Sequence, residues 1–281
     1  MMAKGLLEVF YRLAATGWVP RSFFAPALPA VARNKTVSDP GRPLSLEIVS
    51  HCWRYAHMLT YQISSLIIHP PRQVQVRLTV YYSREDIETV RLLEWAGSQK
   101  VPSVTWNWVD LEKTHLFRRC IGRNMAARAT EADWIWFTDC DVVFHDGGVD
   151  NAGKVLRGRD DFLVFPGETR VTGLLKDDDP MFETARQCLA TGQLRLLDID
   201  PARFVPEFRD RAIGPFQIVR GDVARAGGYC GTIGFYQRPL PRWQKAYEDR
   251  TFRWLLGTQG TSTSIPGLYR IRHHAKGRKT G

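Results

Sequence analysis

The stretch WIWFTDCDVVF, residues 134 to 144, ends a run of large apolar residues with two carboxylates, Asp139 and Asp141. The apolar run is typical of a buried strand. If the backbone stays extended beyond it, residues two apart point the same way, so both carboxylates can face one site. Two carboxylates that close repel each other unless a cation or a shared proton lies between them. An oxygen-ligated divalent metal ion is therefore expected there.

The Asp-x-Asp spacing alone is weak support for a metal site, because it occurs twice more, in DDDP (177 to 180) and DIDP (198 to 201). Both of those segments have the composition of polar turns or helix caps. The first instance differs in its context, since a buried-looking strand precedes it and VVF follows it. That context makes Asp139 and Asp141 the stronger candidates.

Strand-like and helix-like hydrophobic patterns alternate along the chain from residue 44. Strand patterns at 44 to 50, 74 to 82, 104 to 111 and 134 to 138 alternate with helix patterns at 55 to 68, 87 to 95 and 117 to 129. This order predicts a single α/β domain with a mainly parallel central sheet and helices on both faces. Ligands of such sheets bind beyond the carboxyl ends of the strands, where Asp139 and Asp141 are expected.

Length and composition limit the classes of protein to consider. The 281 residues, 44% of them hydrophobic, suit one large globular domain. No uninterrupted apolar run reaches the roughly 18 to 20 residues of a membrane span, which argues against a transmembrane helix and a signal peptide. Five singly placed cysteines predict a reducing, cytoplasmic setting. The net charge of +10 favours an anionic partner, which could be nucleic acid, an acidic membrane or a phosphorylated small molecule.

Residues 1 to 40 read as an appendage, an amphipathic helix followed by a proline-rich connector. Leu6, Phe10, Leu13 and Gly17 share one face of that helix. The face has two interpretations. It could dock on the protein's own core, or it could contact a membrane surface or a partner.

Three blocks resemble the family 2 glycosyltransferases with the GT-A fold, in the nucleotide-diphospho-sugar transferase superfamily. The blocks are GRNMAARATEADWIWFTDCD (122 to 141), FQIVRGDVARAGGY (216 to 229) and YEDRTFRWLLG (247 to 257). They occur in the family's order. The resemblance implies a Rossmann-like GT-A domain over 41 to 281, with a nucleotide-sugar-binding half at 41 to 145 and an acceptor-binding half, including the C-terminal tail, at 146 to 281.

By this resemblance the protein is a metal-dependent, inverting glycosyltransferase of the hexosyltransferase type. It would move a sugar from a UDP- or GDP-sugar to a hydroxyl of a glycan, a lipid-linked acceptor or a small molecule. Asp141 would be the principal ligand of Mn²⁺ or Mg²⁺, and Asp139 would reach the ribose or the metal. His273 is the expected third ligand, with His274 as its alternative, although both could simply belong to a solvated basic tail. A bound metal would act as a Lewis acid on the leaving diphosphate.

The resemblance also assigns the remaining site residues. Asp249 would be the catalytic base and Glu248 an acceptor contact, although both could simply be carboxylates favoured at the start of a helix. Gly227 and Gly228 would let the backbone approach the donor sugar. The expected donor-binding residues are Ser50, Arg54, Glu85, Arg123, Asn124, Asp139, Gly227 and Gly228. The segment at 257 to 267 has the composition of a mobile loop that could close over the nucleotide, or equally of an ordinary linker.

Two other functions compete with this hypothesis. A nucleotidyltransferase of the same superfamily shares the metal and the sheet, but a glycine-rich loop is expected after its first strand, and SHCWRY (50 to 55) has no glycine. A non-enzymatic nucleic-acid-binding protein would explain the basic balance, yet no nucleic-acid motif is present, so this partner is disfavoured. The expected location is the cytoplasm, with peripheral contact on the inner face of the membrane as a further hypothesis.

Overall fold

The computed structural model describes residues 2–26, 28, 42–243 and 247–274. Most of the predicted proline-rich connector, including Pro29, and the basic tail after residue 274 lie outside the described residues. Among the residues described, none of the helices combines the length and apolarity that crossing a lipid bilayer requires.

The strands and helices predicted for the first half of the chain all form, with ends within three residues of those expected. Their bounds are α1 (Met2–Leu13), β1 (Leu44–His51), α2 (Ala56–Ile68), β2 (Val74–Tyr82), α3 (Ile87–Ser98), β3 (Val104–Asp110), α4 (Lys113–Leu116), α5 (Arg119–Ala129) and β4 (Trp134–Phe137). The basic helix predicted from residue 117 begins later, because Arg118 leaves the helical region at φ −109° and ψ 85°. A short turn of helix, α4, precedes it.

The described residues of the second half of the chain add shorter strands and four α-helices. Their bounds are β5 (Val142–Phe144), α6 (Gly148–Leu156), β6 (Leu163–Pro166), β7 (Glu168–Val171), α7 (Pro180–Thr191), β8 (Val205–Phe208), β9 (Gln217–Arg220), α8 (Gly221–Gly227), α9 (Glu248–Leu256), β10 (Thr261–Thr263) and β11 (Leu268–Arg270), together with short 3₁₀ helices at Pro201–Arg203 and Gly234–Gln237. The predicted mobile loop at 257 to 267 thus contains a strand, β10, which pairs with β6 at the edge of the central sheet.

The central sheet has seven strands in the order β10-β6-β9-β4-β1-β2-β3. Only β9 runs antiparallel to its neighbours within it. Strands from both halves of the chain share this sheet, so the halves form one domain. The predicted single-domain α/β fold with a mainly parallel sheet is confirmed.

Alternating side chains of β4 build the cores on the two faces of the sheet. Trp134 and Trp136 pack into a core shared with α2, α3 and α7. Ile135 and Phe137 pack into the opposite core with α5, α8 and α9. Because side chains of a strand alternate between faces, the fully apolar WIWF run requires helices on both sides. The helices on the two faces of the sheet meet this requirement.

A second sheet, in the order β5-β11-β7-β8, carries the chain away from the Asp139–Asp141 segment. Antiparallel pairing of β5 with β11 aligns Val142 with Arg270. The backbone N–H of Ile271 donates a hydrogen bond of 2.9 Å to the carbonyl oxygen of Asp141. This register brings a basic residue from near the end of the chain to the second aspartate.

The N-terminal helix docks on the domain through a different face from the predicted one. Tyr11 packs against Phe235, with ring centroids 6.1 Å apart, and Ala14 is buried. The face predicted from the sequence remains exposed, with Leu6 68% and Leu13 55% accessible to solvent. The helix therefore docks on the protein's own core through one side and leaves the predicted apolar side exposed.

Candidate active site

A cavity of about 440 Å³ opens at the carboxyl end of the central sheet. Segments distant in sequence meet around it, as expected where parallel strands end. Its carboxylate, guanidinium and imidazole side chains are those of His51, Arg119, Asp139, Asp141, Asp249 and Arg270, and its aromatic side chains include Trp53, Tyr55, Phe117, Trp243 and Tyr247. The predicted Asp-x-Asp pair therefore lies in a cavity of a size suited to a small-molecule ligand.

Asp139 lies beside two arginines of α5. Its Oδ1 accepts hydrogen bonds from Arg119 at 2.6 Å and from the fully buried Arg123 at 3.3 Å. The Asp139 carboxylate raises the pKa of Arg119, so this guanidinium stays charged in the cavity wall. Charge-assisted bonds of this kind fix the direction of the carboxylate.

Asp141 faces a third arginine, from β11. The Nε of Arg270 lies 3.2 Å from Asp141 Oδ2, and the aspartate is only 5% exposed. Burial acts to lower the pKa of Arg270, but the Asp141 and Asp139 carboxylates outweigh it, and the pKa is raised. The cavity therefore combines adjacent carboxylates with two charged guanidinium groups.

The chemistry of the paired carboxylates fits a hard divalent cation such as Mn²⁺ or Mg²⁺, which takes oxygen ligands. Asp139 and Asp141 both line the cavity, separated by one residue. Arg119, Arg123 and Arg270 hydrogen-bond these carboxylates. When a cation binds, each carboxylate oxygen would either bond to both the arginine and the cation or give up its bond to the arginine. The aspartates thus remain the proposed metal ligands.

His273, the predicted third ligand, is itself buried and lies in a hydrogen-bonded chain that ends at the exposed Asp177. Its Nδ1 is 2.9 Å from the hydroxyl of Tyr55, and its Nε2 is 2.7 Å from Asp177 Oδ1. Burial raises the pKa of the Tyr55 phenol and lowers the pKa of His273. A protonated phenol therefore donates to Nδ1, and Nε2–H donates to Asp177. Metal binding by His273 would require one of these bonds to break.

The two carboxylates at the start of α9 have different surroundings. Asp249 lines the cavity, and its carboxylate lies 3.8 Å from the guanidinium of Arg253. Glu248 is 2% exposed and turns inward, with its Oε1 3.5 Å from Nε of Arg119. Asp249 is thus placed to reach a ligand, whereas Glu248 supports Arg119 from behind.

Three of the predicted donor-binding residues lie outside the cavity lining at the ends of β1 and β2. The hydroxyl of Ser50 donates to the Oε1 of Gln62 in α2, at 2.7 Å, on the buried side of the sheet. Glu85 is on the surface, paired with Lys113 at 2.7 Å. Arg54 is exposed and has a positive φ of 51°.

The other four predicted donor-binding residues outside the lining hold α5 against the turn after α8. Arg123 donates to the hydroxyl of Tyr229 at 2.9 Å, and Asn124 Oδ1 accepts from the N–H of Tyr229 at 3.0 Å. A Cβ at Gly228, whose φ is +64°, would lie 2.3 Å from Asn124 Oδ1. Gly227 differs from the other three, because a Cβ there would lie 3.1 Å from Leu28 of the N-terminal segment. These residues position the site by packing.

His51 was missed by the sequence reasoning and lines the cavity at the end of β1. Burial, with Arg123 and Arg119 nearby, lowers its pKa well below the usual value, so the imidazole is neutral. Its ring stacks on Tyr81 at 5.0 Å, and a Cβ at Gly122 would lie 2.3 Å from its Nε2. Gly122 is therefore required for α5 to approach β1 closely.

The sequence reasoning also missed the aromatic side chains of the cavity and its two arginines, Arg119 and Arg270. Trp53 and Tyr55 follow β1 directly, so the rule that ligands collect at strand ends could have pointed to them. Arg119 stood among other arginines of a basic helix, and nothing in the sequence separated it from a solvated face. Arg270 reaches the cavity only through the pairing of β11 with β5.

Neither a protein-family model nor a curated protein matches this sequence. Solved structures that resemble the fold include TarS from S. aureus in complex with UDP-GlcNAc, with 12% identity over 85% of this chain and 61% of that one and a TM-score of 0.49. Another is the mannosyltransferase PcManGT from Pyrobaculum calidifontis, in complex with GDP-Man and Mn²⁺, with 14% identity over 96% and 65% of the two chains and a TM-score of 0.44. This chain spans less than two thirds of either structure.

Proposed function

We propose that this protein is a glycosyltransferase that moves a sugar from a nucleoside-diphosphate donor to an acceptor hydroxyl. The observation that carries the proposal is the cavity, where Asp139, Asp141, Arg119, Arg270 and Asp249 converge at the carboxyl end of the sheet. Guanidinium groups bind phosphate oxygens through paired, charge-assisted hydrogen bonds. The arrangement supplies cations for a diphosphate and a separate carboxylate for an attacking hydroxyl.

Asp139 and Asp141 would hold the Mn²⁺ or Mg²⁺ ion. When bound, that ion supplies Lewis-acid stabilisation of the charge that grows on the leaving diphosphate. Arg119 and Arg270 remain in the same wall and hold the phosphate oxygens, which orients the bond that breaks. The buried Arg123 keeps Asp139 in place through its hydrogen bond to Oδ1.

Asp249 would act as the base that takes the proton of the acceptor hydroxyl. General-base assistance of this kind contributes roughly 10² to 10⁴ in rate. Direct attack on the anomeric carbon from the face opposite the diphosphate inverts its configuration. Trp53, Phe117 and Tyr247 line the cavity and would exclude water from the donor, which protects it from hydrolysis.

The acceptor side of the cavity borders the N-terminal helix. The guanidinium of Arg12 lies 4.5 Å from the ring centroid of Tyr247, a cavity residue. Phe24 packs against Trp254 of α9, with ring centroids 5.7 Å apart. The helix that could lie on a membrane is thus attached to the element that carries the proposed base, which supports a lipid-linked acceptor.

The exposed side of this N-terminal unit supports peripheral membrane contact. We define the N-terminal apolar surface as Leu6, Phe10, Leu13, Trp18 and Phe23, all of which are exposed. Such a surface beside basic residues suits the interface of an anionic membrane. The five cysteines are all free and buried, in keeping with the proposed cytoplasmic location.

Calorimetric titration of UDP and GDP, with Mn²⁺ or with EDTA, tests the proposed function. The wild type should bind one of the nucleotides more tightly with Mn²⁺, and Asp141→Asn should lose that dependence. Glu94→Gln, an exposed carboxylate on α3, is the matched control and should bind as the wild type does. Absence of nucleoside-diphosphate binding by the wild type would reject the proposal.

The alternative of a nucleotidyltransferase is separated by its products. Incubation with the preferred nucleotide-sugar and a mixture of acceptors should release the nucleoside diphosphate. Incubation with a nucleoside triphosphate and a sugar phosphate should release no pyrophosphate. The opposite pattern would assign the same cavity to the competing reaction.

A further inference from the structure

We propose a zinc site formed by His69, His145 and Asp198, distinct from the candidate active site. His69 follows the last residue of α2, His145 follows β5, and Asp198 lies in the segment between α7 and β8. Each residue offers one ligand atom, and these atoms all lie within 4.8 Å of one another. Three elements far apart in sequence therefore meet at one group of metal-binding side chains.

The separations suit a shared ion better than hydrogen bonds. His69 Nε2 lies 3.4 Å from Asp198 Oδ2, and His145 Nε2 lies 3.9 Å from Asp198 Oδ1. Two ligands about 2.1 Å from a tetrahedral zinc ion are about 3.4 Å apart. Hydrogen bonds between nitrogen and oxygen are shorter, at about 2.7 to 3.2 Å. Only small side-chain movements would bring all three ligand atoms into zinc coordination.

The burial of the group also points to a ligand. The Nε2 of His69 is buried and has no hydrogen-bond partner among the described residues. The imidazoles of His69 and His145 pack with centroids 4.1 Å apart. Asp198 is 41% exposed at its side chain, which leaves a path for an ion and room for water as the fourth ligand. A metal ion between this nitrogen and the Asp198 carboxylate would satisfy both.

Asp146 is placed to supply the outer carboxylate that metal-binding histidines usually have. Its Oδ2 lies 3.0 Å from Nδ1 of His145, although this nitrogen makes no hydrogen bond of acceptable geometry among the described residues. A small rotation of Asp146 would complete that bond, which would fix the tautomer and make the imidazole a better ligand. The backbone around His145 is held as well, because its N–H donates to the carbonyl oxygen of Gly267 at 2.9 Å.

The ligand set selects zinc over the ions expected in the cavity. Imidazole nitrogen suits Zn²⁺, whereas Mg²⁺ and Mn²⁺ favour carboxylates, carbonyls and water. The two sites are also separate in space. Four residues of extended chain lead from Asp141 to His145, a length of about 13 Å. The proposed zinc would therefore leave Asp139 and Asp141 available for their own ion.

A zinc ion here would cross-link the elements that support the Asp139–Asp141 segment. Within α2, the side-chain amide of Gln62 donates to the carbonyl oxygen of Val142, the first residue of β5. The hydroxyl of Ser64 accepts from the N–H of Leu197. The metal would join α2, β5 and the segment between α7 and β8 at one further point. We therefore infer a structural role, in which the metal supports the Asp139–Asp141 segment of the cavity.

Cobalt and zinc titrations of the EDTA-treated, full-length protein test the site. The wild type should bind one Zn²⁺ per chain in addition to any ion at the cavity. Co²⁺ should give the strong visible absorption of a tetrahedral site, and Asp141→Asn should retain it. Asp198→Asn, which keeps the shape of an exposed side chain, should weaken Zn²⁺ binding at least about 10-fold, as should His69→Gln.

His115→Gln removes a half-exposed histidine of α4 and is the matched control, expected to bind zinc as the wild type does. Zinc should also raise the melting temperature of the wild type and of the control, but not of Asp198→Asn. The proposal is overturned if the wild type gives no tetrahedral cobalt spectrum, or if Asp198→Asn binds zinc with unchanged affinity. Both readouts are independent of sugar transfer.

Discussion

The side-chain amide of Gln62 donates a hydrogen bond of 3.0 Å to the backbone carbonyl oxygen of Asp139. The same amide nitrogen donates to Val142 at 3.0 Å, and its carbonyl oxygen accepts from the hydroxyl of Ser50. One buried side chain of α2 thus holds both ends of the segment that carries the paired aspartates. Ser50, which the resemblance assigns to donor binding, lies outside the cavity lining and fixes the orientation of this amide.

Gln62→Met should destabilise the protein by about 1 to 3 kcal/mol, because two buried carbonyl oxygens lose their donor. Methionine has a similar length, so the change removes hydrogen bonds with little change of volume. Urea unfolding at neutral pH measures the effect. Nucleotide affinity should fall as well, since the Asp139–Asp141 segment loses its support.

Gln187→Met, an exposed position of α7, is the matched control and should change stability by less than about 0.5 kcal/mol. Equal stability of the two variants would show that the hydrogen bonds of Gln62 make no net contribution to the free energy of unfolding.

Asp249→Asn should lower the rate of sugar transfer by roughly 10² to 10⁴ and leave nucleotide affinity near the wild-type value. The amide keeps the shape of the side chain and cannot accept the acceptor proton. Transfer assays under saturating donor, with calorimetry for nucleotide binding, separate the two effects. The anomeric configuration of the product, read by NMR, tests inversion.

Glu248→Gln provides the comparison within the same helix turn. Glu248 is buried against Arg119, so its neutralisation should lower stability and nucleotide affinity together. A variant at Asp249 that transfers sugar at the wild-type rate would remove it as the base. Loss of transfer in Glu248→Gln alone, with affinity intact, would exchange the two roles.

The alternation of strands and helices could be predicted from the sequence, because it depends on local hydrophobic period. Trp134 to Phe137 illustrate this, since an apolar run with both faces buried admits few arrangements. Asp139 and Asp141 lie at the carboxyl end of β4, as predicted, because they follow that apolar run directly in the sequence.

The partners of those carboxylates could not be predicted, because they depend on pairings between distant segments. Arg270 reaches Asp141 through an antiparallel pairing of three-residue strands, and such short strands carry little pattern. Gly228 was expected to approach the donor, yet it packs on Asn124. A glycine pair indicates close approach of something to the backbone, but the sequence does not say what approaches.

His57 should make the protein less stable below about pH 6.5. Burial, followed by Arg186 and His273, lowers the pKa of His57 to about 3, while Asp177 opposes the shift. Between pH 6.5 and 3 the unfolded chain therefore binds a proton at this residue that the folded chain does not, so stability falls as pH falls. At pH 5 the loss from this one group is about 2 kcal/mol.

Urea unfolding at pH 7.5 and pH 5.0 checks the contribution of His57. In His57→Leu the stability difference between the two pH values should shrink by about 2 kcal/mol relative to the wild type. His115→Gln, at a half-exposed histidine, should leave that difference unchanged. An unaltered pH dependence in His57→Leu would mean that other buried histidines, such as His51, account for the acid sensitivity.

The N-terminal apolar surface should bind anionic vesicles. Trp18 is 87% exposed and Phe23 75% exposed, on the connection that follows α1. Burial of a large apolar side chain contributes about 1.5 to 3 kcal/mol, so Trp18→Ser with Phe23→Ser should lower the membrane partition coefficient at least about tenfold. Co-sedimentation with vesicles of phosphatidylserine and phosphatidylcholine measures it, and added salt should weaken it. Phe208→Ser, equally exposed on β8, should have no effect; if it lowers binding as much, attachment is non-specific.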